Sequence, residues 1–222
     1  MIPEWLDLSA VVVGAFAGVL VGQKYGLDLV GFAAMCIICA LGGGLLRDAI
    51  MQTGSVYALD SELAIPLCIV TAIVGFCFPS AMRRFPNLYE WVDMTSVALY
   101  VIAGTDKALT NGLHIPAVIL MGTITGVGGG MLRDVFLGEV PQVFRQSNYY
   151  ALCAVLGSVL YCVCMYATNS NRTVSSILTA VGVLMLRQLS LHLDLMSPAN
   201  VDLEPKLVKT GKRAVRKIRH KQ

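Results

Sequence analysis

The chain has 222 residues, 56% hydrophobic and only 14% charged, with a mean hydropathy of +0.68 and a formal net charge of +3. A soluble domain carries about 25% charged residues, so the composition excludes an ordinary soluble protein and places the chain in a membrane. The charge is also uneven: of 17 Lys and Arg, eight fall within residues 202–222, leaving nine basic and twelve acidic residues for the first 201.

A helix needs about 20 residues to cross the hydrocarbon core. Backbone groups there must be satisfied internally, so each long apolar stretch reads as a helix. The first span, 6–22, follows a start with no positive n-region and no small-residue cleavage site, so it reads as a span and not as a cleaved signal. Asp7 stands at its beginning, where the helix macrodipole favours a carboxylate. The second span, 27–46, closes on Gly42, Gly43 and Gly44, and Arg47 and Asp48 follow directly. A loop over 51–62 holds Asp60 and Glu62 but no Lys or Arg, and the third span, 63–82, leads to Arg83 and Arg84. The fourth span, 91–109, has Asp93 near its start and Asp106 and Lys107 near its end. The fifth, 113–132, closes on Gly128, Gly129 and Gly130, followed by Arg133 and Asp134. The sixth and seventh, 149–166 and 174–193, are joined through Asn169, Ser170, Asn171 and Arg172. Arg187 and His192 approach the end of the seventh, where the polar tail begins.

Basic residues near span ends favour the cytoplasmic side. The tail, with Lys206, Lys209, Lys212, Arg213, Arg216, Lys217, Arg219 and Lys221, therefore puts the C-terminus inside, and seven spans then put the N-terminus outside. Lys24, Arg83, Arg84 and Arg145 agree with this orientation. The tail itself reads as a solvated topology anchor, with contact to anionic lipid as the alternative and no nucleic-acid partner expected.

The chain repeats itself at an offset of 86. Glu4, Trp5 and Asp7 align with Glu90, Trp91 and Asp93; Gly26 and Leu27 align with Gly112 and Leu113; and the Gly-Gly-Gly-x-Leu-Arg-Asp run recurs whole. From position 4 to 52, 16 of 49 aligned pairs are identical. The fold class is therefore all-α: a polytopic membrane protein with repeat one at 4–82, repeat two at 90–167 and a seventh helix at 174–193, together a transmembrane domain of 1–201 followed by the tail. Three spans per copy make the repeats inverted, an arrangement that in transport proteins places the site at the repeat interface.

The glycine runs admit two readings. Each glycine costs about 1 kcal/mol relative to Ala in a helix interior, which invites a kink or local unwinding beside a wet cavity. Close helix packing through small residues is the other reading. Arg47 and Arg133 follow the runs at a depth where a charge faces a cavity or a partner, or snorkels to the interface. Adjacent side chains on a helix point about 100° apart, so Asp48 and Asp134 are expected to be poor partners for their neighbours, and cross-repeat pairs such as Arg47 with Asp134 or Asp93 are favoured. Lys107, where repeat one has Val21, faces either the path or the surface.

No catalytic constellation, phosphate loop or metal-ligand spacing is present: His114, His192 and His220 are scattered, and the seven cysteines lie inside apolar runs. Neither an enzyme activity nor a cofactor is expected.

The stretch from Gly126 to Pro141, with its partner from Ala40 to Asp48, resembles the prokaryotic branch of the trimeric intracellular cation channel (TRIC) family, whose bacterial members are also labelled glycine-transporter-domain membrane proteins. The stretch Gly104-Thr105-Asp106-Lys107-Ala108-Leu109 is similar to the family's segment before span five. The resemblance covers the chain from about Glu4 to Leu193. It implies an inner-membrane homotrimer with a pore for monovalent cations, chiefly potassium, inside each protomer. That pore would be lined by kinked spans two and five, with Gly42, Gly43, Gly44, Arg47, Asp48, Gly128, Gly129, Gly130, Arg133 and Asp134, together with Asp93 and Lys107. The chain departs from the family pattern after Asp48, where Met51-Gln52-Thr53-Gly54-Ser55 stands opposite Leu137-Gly138-Glu139-Val140-Pro141. A carrier of a small amino acid such as glycine, its arginines holding the carboxylate, remains the alternative, and a non-transporting scaffold is a third.

Overall fold

The computed structural model describes residues 3–78, 88–145, 150–167 and 171–193. Arg83, Arg84, the end of the third span and the basic tail lie outside the described residues. Among those described, every regular element is a helix: α1 (Glu4–Tyr25), α2 (Leu29–Met51), α3 (Tyr57–Asp60), α4 (Ala64–Cys77), α5 (Leu88–Thr110), α6 (Ile115–Phe136), α7 (Tyr150–Ala167) and α8 (Arg172–His192).

Local chemistry sets the ends. Asp28 caps α2 by accepting the Gly31 amide at 2.8 Å, and Asn171 caps α8 by accepting that of Val174 at 3.2 Å. Gly26 and Gly112, equivalent positions in the two repeats, both leave their helices in the left-handed conformation, with φ of 63° and 72°. The same offset runs through the elements: α2 and α6 start at 29 and 115, α4 and α7 at 64 and 150.

α1, α2, α6, α7 and α8 are each long and apolar enough to cross a membrane. α5 has the length but carries Glu90, Asp93, Asp106 and Lys107. α4 has only 14 described residues, about 21 Å of helix. The outward faces are apolar: Val70, Ile73 and Val74 on α4, Val163 on α7, and Ile177, Val181 and Met185 on α8 are all exposed. Such a surface is stable against lipid and not against water.

α1, α2 and α4 pack together, as do α5, α6 and α7. The two groups meet where α2 crosses α6 and α1 crosses α5, and α8 closes over α5 and α7. The first group buries an apolar cluster around Val11, Val19, Cys36, Leu41 and Cys68. The second buries smaller apolar clusters, Val97, Val101, Val127 and Ala154 in one and Val118, Met121 and Cys162 in another, interleaved with hydroxyl residues. Thr105, Thr125 and Ser158 are all fully buried, and each donates its hydroxyl to the carbonyl four residues earlier.

Candidate functional site

The glycine runs sit where α2 crosses α6, and both helices run through them without interruption. The unwinding that helix propensity suggested is absent. The reason is tertiary: a Cβ on Gly43 would stand 2.1 Å from the Thr125 carbonyl oxygen, and one on Gly129 would stand 2.5 Å from that of Cys39. Gly42 and Gly128 are also at the crossing, with a Cβ 2.8 Å from Leu132 Cδ1 and 3.0 Å from Gly43 Cα respectively. Only glycine permits this backbone contact, which offsets its propensity cost. The third member of each run behaves differently. At Gly44 the nearest atom to an added Cβ is Arg47 Nη2 at 3.8 Å, and at Gly130 it is the Tyr150 hydroxyl at 3.2 Å.

Two cavities flank this crossing. The Lys107 cavity, about 170 Å³, is lined by Asp7, Gly44, Arg47, Tyr57, Asp106 and Lys107. The Tyr25 cavity, about 340 Å³, is lined by Lys24, Tyr25, Tyr89, Arg133, Asp134 and Glu139. α1 contributes Asp7 to the first and Tyr25 to the second, positions about 27 Å apart at 1.5 Å per residue. The cavities therefore open at opposite ends of α1. α2 ends at one and α6 at the other, so these two helices run in opposite directions.

Each cavity holds a buried charge cluster of the same design. At the Lys107 cavity, the Arg47 guanidinium reaches both oxygens of Asp48, at 2.7 and 3.1 Å. Asp48 also accepts Lys107 Nζ at 2.9 Å and the Tyr57 amide at 3.0 Å. Lys107 goes on to the Ser55 carbonyl at 2.7 Å, fastening the loop after α2. At the Tyr25 cavity, Arg133 bonds Asp134 at 2.7 Å and Asp93 at 3.2 Å, and lies over the Tyr89 ring at 5.5 Å. Asp134 accepts the Gln142 amide at 2.9 Å, as Asp48 accepts that of Tyr57. Arg47, Asp48, Asp93, Arg133 and Asp134 are all buried. Charges removed from water persist only when paired and hydrogen-bonded. Outside the spans, Glu139 receives a hydrogen bond from the Tyr25 hydroxyl and one from Arg145, which hold its carboxyl below the ordinary glutamate range.

The expected cross-repeat pairs are not formed: each arginine pairs with the aspartate that follows it. The 100° separation describes Cβ directions. An arginine has enough rotatable bonds to fold its guanidinium back beside a neighbouring short carboxylate, and burial removes the competing water. Asp93 does meet Arg133, within repeat two. Lys107 lies at a cavity, bound to Asp48. Arg187 lies over the Tyr150 ring at 5.3 Å and lines a further cavity of about 240 Å³ with Glu90 and Asp93. Six of the cysteines are buried, and Cys77, at the end of α4, is exposed. Among the described residues, no group of His, Cys, Asp and Glu is placed to hold a metal ion. Sequence reasoning did not single out Tyr57, Tyr89, Tyr161 or Arg172, which complete these clusters. A polar residue in or beside a span, with no counterpart at the repeat offset, was the signal available for Arg172.

A family model described as Glycine transporter matches this chain twice, over residues 4–80 and 90–166. The inner membrane protein YadS of Escherichia coli (strain K12) is 28% identical over 199 residues, covering 89% of this chain and 96% of that one. A membrane protein of Deinococcus radiodurans is 32% identical over 156 residues, covering 70% and 73%. Among solved structures, a TRIC cation channel superposes with a TM-score of 0.78 at 23% identity, over 92% of this chain and 100% of that one. The trimeric intracellular cation channel orthologue from Rhodobacter sphaeroides does so with 0.75 at 25% identity, over 86% and 98%.

Proposed function

The chain belongs to the glycine-transporter family of membrane proteins and has the fold of the TRIC channels, and from that premise we propose that it is a channel for monovalent cations, chiefly potassium. The path runs inside each protomer, from the Lys107 cavity to the Tyr25 cavity, and the protein works as a homotrimer. Seven spans cross the membrane as two inverted repeats, 4–82 and 90–167, plus the seventh helix at 174–193. The N-terminus and the Lys107 cavity face outward; the Tyr25 cavity and the basic tail face the cytoplasm. Gly42, Gly43, Gly128 and Gly129 form the constriction where α2 crosses α6. Gly44, Arg47, Asp48 and Lys107 line the outer approach, and Gly130, Asp93, Arg133 and Asp134 the inner one.

The observation that carries this reading is a pair of cavities at opposite ends of α1, separated by a backbone-to-backbone helix crossing and each walled by a buried arginine whose charge is already met. A bare arginine in a cation path is a barrier, and an arginine paired with aspartate is not. Asp7, Asp60, Asp106, Arg47 and Lys107 line the Lys107 cavity. With Asp48 bonded to Arg47 and Lys107, and Arg172 bonded to Asp106, four carboxylates stand against three cations, a balance that favours cation entry. Carriage of glycine would use the same cavities, with an arginine on the substrate carboxylate. The pairing weighs against it, since a substrate would first have to displace Asp48 or Asp134.

Arg133→Gln separates the two. Removing one partner of a buried ion pair costs about 3–5 kcal/mol, so the yield of assembled protein falls. The protein that does assemble has Asp93 and Asp134 uncompensated, and potassium flux per trimer in liposomes rises. A carrier predicts loss of labelled glycine uptake in the same liposomes.

A further inference from the structure

Asp106 has no acidic counterpart in repeat one, where the equivalent position is Leu20. It is 1% exposed yet lines the Lys107 cavity. Its carboxylate is held by residues of α7 and α8. The Tyr161 hydroxyl donates to Oδ1 at 2.9 Å, and Arg172 Nη1 donates to both oxygens at 2.7 Å. Arg172 also reaches Thr110 Oγ1 at 3.0 Å. It is the first residue of α8, a helix outside both family matches, and the Asn171 cap fixes the turn on which it sits.

We propose that Arg172 is a positioning residue that masks the Asp106 carboxylate, so that the start of α8 sets how strongly the outer cavity draws cations in. The inference rests on the channel reading and extends it to a residue outside the repeats. A buried carboxylate beside a water-filled cavity is a strong local source of negative potential, because the surrounding low-dielectric wall screens it poorly. With Arg172 engaged, that charge is nearly cancelled at its origin. Without Arg172, the same cavity presents four carboxylates against two cations.

The test uses the full chain in planar bilayers under a KCl gradient, reading the potassium-to-chloride permeability ratio from the reversal potential. Arg172→Gln raises the ratio by about twofold or more, the effect of one added charge within roughly 10 Å of the path in a watery environment. Arg172→Lys keeps the wild-type ratio. Adding Asp106→Asn to Arg172→Gln brings the ratio back toward wild type, which a purely structural ion pair has no reason to do. Should Arg172→Gln not assemble, Asp106→Asn alone leaves the Arg172 cation unmatched and lowers the ratio by a similar factor. An unchanged ratio in a conducting Arg172→Gln or Asp106→Asn channel, or a change in Arg172→Lys equal to that in Arg172→Gln, overturns the inference and leaves the channel reading standing. A wild type without current overturns the channel reading and this inference with it.

Discussion

At the scale of single residues, three consecutive glycines divide into two jobs. Gly43 lies against a carbonyl, where a methyl group would stand 2.1 Å from oxygen, whereas at Gly44 it would stand 3.8 Å from a flexible guanidinium. Gly43→Ala therefore forces α2 away from α6, and overpacking of this kind costs about 1–3 kcal/mol. Gly44→Ala gains up to about 1 kcal/mol of helix propensity. Thermal unfolding in detergent checks the contrast: the melting temperature falls for Gly43→Ala and holds or rises for Gly44→Ala. By the same geometry, bulk at Gly129 removes assembled protein before it reduces flux. The sequence pointed to these positions because Arg, Asp and three glycines recur together at one offset, which hydrophobicity alone does not produce. It left open whether the runs unwind or pack, because propensity describes an isolated helix, and here a second backbone occupies the space a side chain would need. Arg47 and Asp48 were legible as a charged pair of positions. Their bond was not, since it depends on a side-chain conformation chosen by burial.

At the scale of elements, the repeat is legible and its asymmetries are not. Asp48 and Asp134 each pin the loop that follows their helix, through the amides of Tyr57 and Gln142. The second fastening differs at the two ends. Lys107 ties down Ser55 at one, while Tyr25 and Arg145 hold Glu139 at the other. These partners are 52, 114 and 6 residues apart and break the 86-residue offset, so no alignment of the repeats reveals them. The Glu139 fastening is sensitive to pH. Its carboxyl titrates lower in the folded protein than the ordinary glutamate value of 4.5, so the ionised form is favoured by folding. The contribution is fully present above that ordinary value and is lost as pH falls through the lower folded value. Hydrogen exchange corrected for intrinsic rate should show the 137–145 segment losing protection below pH 4.5 in wild type. In Glu139→Gln the same segment shows no such acid step.

At the scale of the molecule, the described residues form five helices long and apolar enough to span a bilayer, an apolar exterior and two cavities on either side of one helix crossing, which together describe a membrane protein; in the channel proposed above, the path is closed at that crossing. Composition and hydropathy made the membrane legible at once, because lipid imposes its demand on nearly every residue of a span. The cavities were not legible, since each is lined by residues from several helices that lie far apart in the sequence. Orientation is open to chemical test: on a background without the seven native cysteines, Thr210→Cys should be protected from an impermeant thiol reagent applied to intact cells and should label once the membrane is opened. In the proposed channel, cations cross this protein unaccompanied. Recording the purified full-length wild type in a planar bilayer under a KCl gradient tests it most directly. Discrete single-channel currents that reverse close to the potassium equilibrium potential are expected; silent bilayers, with saturable glycine uptake by the same preparation in liposomes, would show a carrier instead.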